Sequence, residues 1–289
     1  MVKNNSSNQR NKAFRIYTGL QIKSQLMRRR WYLPFFLALL LALRAATILQ
    51  GGPGVVVSAP ANCWDVFFSI IGNTFLVHFA IATAYLYLIG DLLPEPAYGQ
   101  LSLFRLKSRR LWWTSKVITL ICLTLTFITL FTVTVLLVGG LTHGWSATYS
   151  ELAKANWFIT GIPANLFNNG NPYISVLELF QQTVLLLFLA LFTVGLIVLT
   201  FTQVTSKSLW GLIGGFAFIF ISFIGNVLSG PPAWVKWLPS MHFAYIGGSP
   251  VRTISVLISY AYWLILIILL TTLGYLHVSR QDIYSASKE

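Results

Sequence analysis

TLICLTLTFITLFTVTVLL, residues 119–137, decides in which solvent this chain folds. Nineteen consecutive positions carry only apolar side chains or threonine. Wound as an α-helix at about 1.5 Å per residue, roughly 20 such residues cross the ~30 Å hydrocarbon core of a bilayer. Threonine is tolerated there because its hydroxyl can bond back to the preceding helical turn. A line of threonines facing a partner or a cavity is the other reading of the same pattern.

Outward from this run, five more of the same kind predict six membrane helices. They lie at about 32–50, 65–91, 117–141, 176–201, 209–229 and 251–277. Composition agrees, with 56% hydrophobic and only 9% charged residues, where a soluble domain carries about 25% charged. The expected fold is all-α: a polytopic membrane protein with a six-helix domain over 32–277, between an N-terminal segment 1–31 and a tail 278–289. Neither the tails nor the loops are long enough for a soluble domain. A polar, basic segment precedes the first run and Arg44 interrupts it, so no cleaved signal peptide is expected.

The net charge of +13 would suggest nucleic acid in a soluble chain. Insertion explains it better. With the N-terminus inside, the cytoplasm receives Lys3, Arg10, Lys12, Arg15, Lys23, Arg28, Arg29, Arg30, Arg105, Lys107, Arg109, Arg110, Lys116, Lys207, Arg280 and Lys288. Lys154, Lys236 and Arg252 fall outside, and Arg44 stays in the membrane. An excess of Lys and Arg in cytoplasmic loops sets orientation, so both termini are expected to be cytoplasmic and no nucleic-acid partner is expected.

Before the first span, Ala13, Ile16, Leu20 and Met27 recur at helical spacing among basic residues. That suits an amphipathic helix in the inner interface, or else a plain basic stop before the span.

Chemistry-bearing residues are few. No H-E-x-x-H, G-x-S-x-G or G-x-x-x-x-G-K-[ST] occurs, so no catalytic residue is assigned. Cys63 and Cys122 lack metal-ligand spacing and are not expected to pair. Within or near the spans stand Arg44, His78 and Glu178. Arg44, about 9 Å from the outer end of its span, is expected to snorkel outward or to pair with Glu178 or Asp65. His78 reads as a hydrogen-bonded packing residue or a proton relay. Gly211, Gly215 and Ser222 form a small-residue face on the fifth span, suited to packing within the chain or to dimerisation.

The segment PEPAYGQLSLFRLKSRRLWWTSK, residues 94–116, is richer than a return loop requires. Leu103, Phe104, Leu106 and Leu111 can form one side of a short helix, with Arg105, Lys107, Arg109 and Arg110 on the others. Glu95, Gly99, the apolar stretch 101–106, Ser108-Arg109 and Lys116 together resemble the loop after span two in membrane subunits of ABC exporters of the type-2 family. Prolines at 94 and 96 depart from that pattern and shift where its helix would begin. WVKWLPSMHFAYIGGSP, residues 234–250, is similar to that family's outer re-entrant helices. The resemblance implies a permease subunit with a short cytoplasmic coupling helix docked on a separate ATPase subunit. It implies a second permease subunit, with ATP and Mg bound by the ATPase and no cofactor on this chain. The apolar spans suit an amphipathic or hydrophobic cargo such as an antimicrobial peptide, drug or lipid; a polar glycan is the alternative. Competing expectations are an ion-coupled secondary transporter, which needs midplane carboxylates or broken helices, and a membrane anchor or sensor in a resistance system.

Overall fold

The computed structural model describes residues 3–51, 59–93, 106, 108–155, 157–162, 166–168, 171–227, 237–243 and 256–280. Helix α1 (Lys3–Leu26) leads through a 3-10 turn at Arg29–Trp31 into α2 (Tyr32–Leu49). Next come α3 (Cys63–Ile71), a π-helical segment at Leu76–Ile81, and α4 (Ala82–Ile89). A long helix, α5 (Arg109–His143), is followed by the short α6 (Glu151–Ala155) and α7 (Trp157–Thr160). Phe167–Asn168 and Asn171–Pro172 pair as a minimal antiparallel ladder, β1 with β2. The chain continues through α8 (Val176–Thr205), α9 (Ser208–Val227), α10 (Ser240–Phe243) and α11 (Val256–Arg280).

Among the described residues four helical stretches are long and apolar enough to cross a membrane: Arg29–Leu49, Arg109–His143, Val176–Thr205 and Val256–Arg280. The run expected as one span over 65–91 is broken. Its two halves, Cys63–Ile71 and Leu76–Ile89, meet at 79° and make a fifth span only if counted together. The break falls at Gly72–Asn73, where Asn73 Oδ1 accepts from Leu76 N at 3.2 Å and starts the next helix. Gly72 also lies against the backbone of Gly161, so a Cβ there would strike Gly161 Cα at 2.8 Å. The stretch expected as the fifth span gives a shorter apolar helix, Ser208–Ile224.

α5 and α8 are the hubs. α2, α3, α1 and α11 pack on α5, while α9, α11, α10 and α4 pack on α8. Lipid tails are as apolar as leucine, so membrane helices associate through close backbone approach and hydrogen bonds rather than through burial from water. Both devices are present. Gly195 of α8 sits where a Cβ would meet Leu120 Cδ1 of α5 at 2.7 Å and Tyr85 Oη of α4 at 2.8 Å. Tyr85 Oη lies 2.6 Å from Thr124 Oγ1, whose own proton goes to Leu120 O at 2.8 Å, so the tyrosine is the donor. Gly139 of α5 meets Cys63 of α3 in the same way.

The threonines of α5 mostly bond back along their own helix. Thr119, Thr124, Thr126, Thr134 and Thr142 each reach the carbonyl four residues earlier, at 2.7–2.9 Å. Meanwhile α2, α9 and α11 turn large apolar side chains outward, among them Leu40, Phe220 and Ile268. At the end where α5 stops, Asn62 caps α3: Trp64 N donates to Asn62 Oδ1 at 3.0 Å and Asn62 N to Asp65 Oδ2 at 2.7 Å. Asn62 Nδ2 and Trp64 Nε1 then bond Thr148 O and Ser146 O, tying α3 to the loop after α5.

Candidate functional site

At the opposite end, where α5 begins, the basic residues gather. Ser108 opens α5 as its N-cap, its hydroxyl accepting from Leu111 N at 3.5 Å. Arg109, Arg110 and Leu111 therefore lie in the first turn of a 35-residue helix. Ser108 itself is extended, so these three residues begin a new helix there. Of the predicted loop, Glu95, Gly99, Leu103, Phe104, Arg105 and Lys107 lie outside the described residues; Leu106 is buried.

Lys116, two turns into α5, is fully buried, and its ammonium donates to Leu92 O at 3.3 Å. It also lies 5.6 Å from the centre of the Trp112 ring. A buried ammonium is tolerable only when bonded, and here it is bonded to a carbonyl just past the end of α4. One residue earlier, Asp91 forms ion pairs with Arg28 and with Arg30, the latter at 2.9 Å. The start of α5, the end of α4 and the turn after α1 are thus cross-tied on both sides of the segment 94–107.

Two further ties extend the brace. Trp113 Nε1 donates to Thr271 O of α11 at 3.2 Å, and its ring fills the space left by Gly274. From α1, Thr18 Oγ1 lies 3.0 Å from Ser115 Oγ, and both Ser115 and Thr119 of α5 reach Gln21 Oε1 at 3.3 and 3.2 Å. The side of α1 facing the bundle therefore carries a polar stripe, Thr18, Gln21 and Gln25, beside Phe14, Tyr17 and Leu26, which pack on the core. Ile16 and Leu20 face outward, 53% and 59% exposed, beside exposed Lys12, Arg15 and Lys23. Helix α1 begins earlier than expected and ends at Leu26, leaving Met27 and the arginines 28–30 beyond it.

The intramembrane candidates are not brought together. Arg44 is exposed on α2 and forms no ion pair among the described residues. Neither expected partner reaches it: Glu178, exposed in the first turn of α8, accepts from Gln182 Nε2 at 3.2 Å, and Asp65 serves the α3 cap. His78 is buried within the π-helical segment, its Nδ1 2.8 Å from Thr74 O, with Phe243 and Phe223 rings at 4.8 and 6.0 Å. Gly211 and Gly215 pack within the chain, against Thr202 and Val198 of α8 and Leu86 of α4; Ser222 is buried. No group of three or more His, Cys, Asp or Glu is placed to hold a metal among the described residues.

Three sets of contacts were not expected from the sequence. Asp91 as the meeting point of two arginines was open to charge counting, since the chain has only seven acids. The polar stripe Thr18–Gln21–Gln25 was open to helical spacing. His242, buried and 2.9 Å from Ser259 Oγ under α11, had no signal beyond a lone histidine.

The described residues are all-helical, the small ladder aside, and the apolar faces that these helices turn outward suggest a membrane-embedded protein. The chain belongs to the family described as Protein of unknown function (DUF2705), which matches residues 49–284. No curated protein and no solved structure matches it.

Proposed function

We propose that the chain is the permease subunit of an ATP-driven ABC exporter in a bacterial plasma membrane. The carrying observation is the brace around residues 94–107. Lys116 to Leu92 O holds the two ends of that segment against each other, and Arg28 and Arg30 to Asp91 fasten its first end to the turn after α1. Trp113 and the α1 hydroxyls spread the hold to α11 and α1. A partner pushing on such a segment moves several helices at once, which is what a coupling helix needs. Basic flanks suit an acidic cleft on the partner.

In this proposal α2, the bent α3–α4 pair, α5, α8, α9 and α11 are six spans, with both termini cytoplasmic. A second permease subunit completes the path, and separate ATPase subunits bind ATP and Mg. The cargo is amphipathic or hydrophobic. The test is a pull-down of the tagged protein in mild detergent, wild type beside Glu95→Ala/Arg109→Glu, with the eluate assayed for ATPase. Wild type should bring one down and the double variant should lose it. A monodisperse wild type that brings down no nucleotide-binding chain refutes the proposal.

One observation favours a second reading, ion-coupled secondary transport. The second span is bent by 79° with His78 in the π-helical segment beyond the break, and broken helices mark the sites of such transporters. Uptake into proteoliposomes driven by an ion gradient, with no ATPase present, would establish it over the exporter.

A further inference from the structure

Between α5 and α11, at the end where α5 begins, lies an open groove of about 220 Å³ lined by Trp113, Thr114, Val117, Thr271, Thr272 and Tyr275. Its volume is several times the ~30 Å³ share of one water molecule, room for a length of acyl chain. One wall is held in place: Trp113 bonds Thr271 O and rests on Gly274. At the rim, the Arg110 guanidinium stands 5.4 Å over the Tyr275 ring. The ring face orients it without neutralising it.

Among the described residues no acid compensates the charge at this rim. Of the acids among the described residues, Asp65 serves the α3 cap, Asp91 pairs with Arg28 and Arg30, Glu151 pairs with Lys154, and Glu178 accepts from Gln182. None faces Arg110. Arg280, exposed at the last position of α11, adds positive charge about one and a half turns beyond Tyr275. A guanidinium presents paired donors that match two phosphate oxygens. An apolar trough opening outward between two helices, with such a group at its rim, matches a lipid with a net negative headgroup.

We propose that this groove binds an anionic glycerophospholipid. Its acyl chain lies along Trp113, Val117 and Tyr275, and its phosphate is held by Arg110. Only membrane embedding is required, so the proposal stands whether or not an ATPase partner exists.

The test is native mass spectrometry of the purified protein in detergent, offered phosphatidylglycerol and phosphatidylcholine of identical chains at equal concentration. Wild type should retain phosphatidylglycerol about fivefold over phosphatidylcholine, the selectivity one basic side chain gives at an anionic surface. Arg110→Gln should lower phosphatidylglycerol to the phosphatidylcholine level. Lys207→Gln removes the same charge from a residue outside the groove lining and should leave the preference intact. Val117→Trp fills the trough and should reduce retention of both lipids. Equal retention of the two lipids by wild type, or wild-type selectivity in a monodisperse Arg110→Gln protein, overturns the proposal. Unchanged retention in Val117→Trp overturns the placement of the chain.

Discussion

Lys116 Nζ donates to Leu92 O at 3.3 Å from a side chain with no exposed surface. A lysine at the entry of a membrane helix ordinarily sends its ammonium out to the headgroups. Here it turns inward and holds the end of the preceding helix.

Lys116→Met should lower the unfolding free energy by roughly 1–3 kcal/mol, because a buried acceptor loses its donor. Lys116→Glu should yield no folded protein, since a carboxylate would then face the Leu92 carbonyl, acceptor against acceptor. Thermal unfolding followed by size-exclusion chromatography in one detergent checks both. A Met variant that melts with wild type would mean the tie contributes nothing.

Asp91→Asn should act differently. Its pairs with Arg28 and Arg30 are a third exposed, and such pairs contribute about 0–1 kcal/mol, so global stability should scarcely move. Local protection should fall instead. Trypsin should cut after the arginines at 28–30 faster in the variant, and an unchanged rate there would show that the pairs do not restrain the turn.

Gly211→Ala should be costly and Gly19→Ala should not. A Cβ at Gly211 would run into Thr202 Oγ1 and meet Val198 O at 2.6 Å, whereas at Gly19 it meets nothing within 4 Å. Overpacking costs about 1–3 kcal/mol, while alanine for glycine in an open helical position gains about 0.5–1 kcal/mol. The two midpoints measured side by side should move in opposite directions.

Asn62→Ala removes the α3 cap and the bond to Thr148 O together. The loss should be about 1–2 kcal/mol, and Asn62→Asp should restore the cap but not the amide's bond. Equal stability of all three proteins would show that this end of the bundle does not depend on the cap.

Most of the long helices were legible because an uncharged run of that length has few alternatives to a helix in lipid. Their ends were less so. Leu111 and the arginines before it read as part of a separate short helix, although Ser108 three positions ahead of Leu111 was a capping signal. The break at Gly72–Asn73 sits inside an apolar run, and hydropathy cannot register a change of direction. In α1 the apolar spacing was visible but not which side docks. Lipid accepts Ile16 and Leu20 as readily as protein does, so Thr18 and Gln21, which need hydrogen-bond partners, choose the contact. Among the candidate residues, the inward turn of Lys116 and the separation of Arg44 from Glu178 depend on tertiary placement, which no local pattern encodes.

Helix α5 runs for 35 residues, about 52 Å at 1.5 Å per residue, against a hydrocarbon core near 30 Å. Its uncharged part alone, from Val117 to Thr142, measures close to 40 Å. Such a helix must lean, or the bilayer around it must thicken, each at a fraction of a kcal/mol per ångström of mismatch. In a bilayer a helix of this length would answer to membrane thickness through its tilt, and the ties at Lys116, Trp113 and Thr124 join it to α4 and α11.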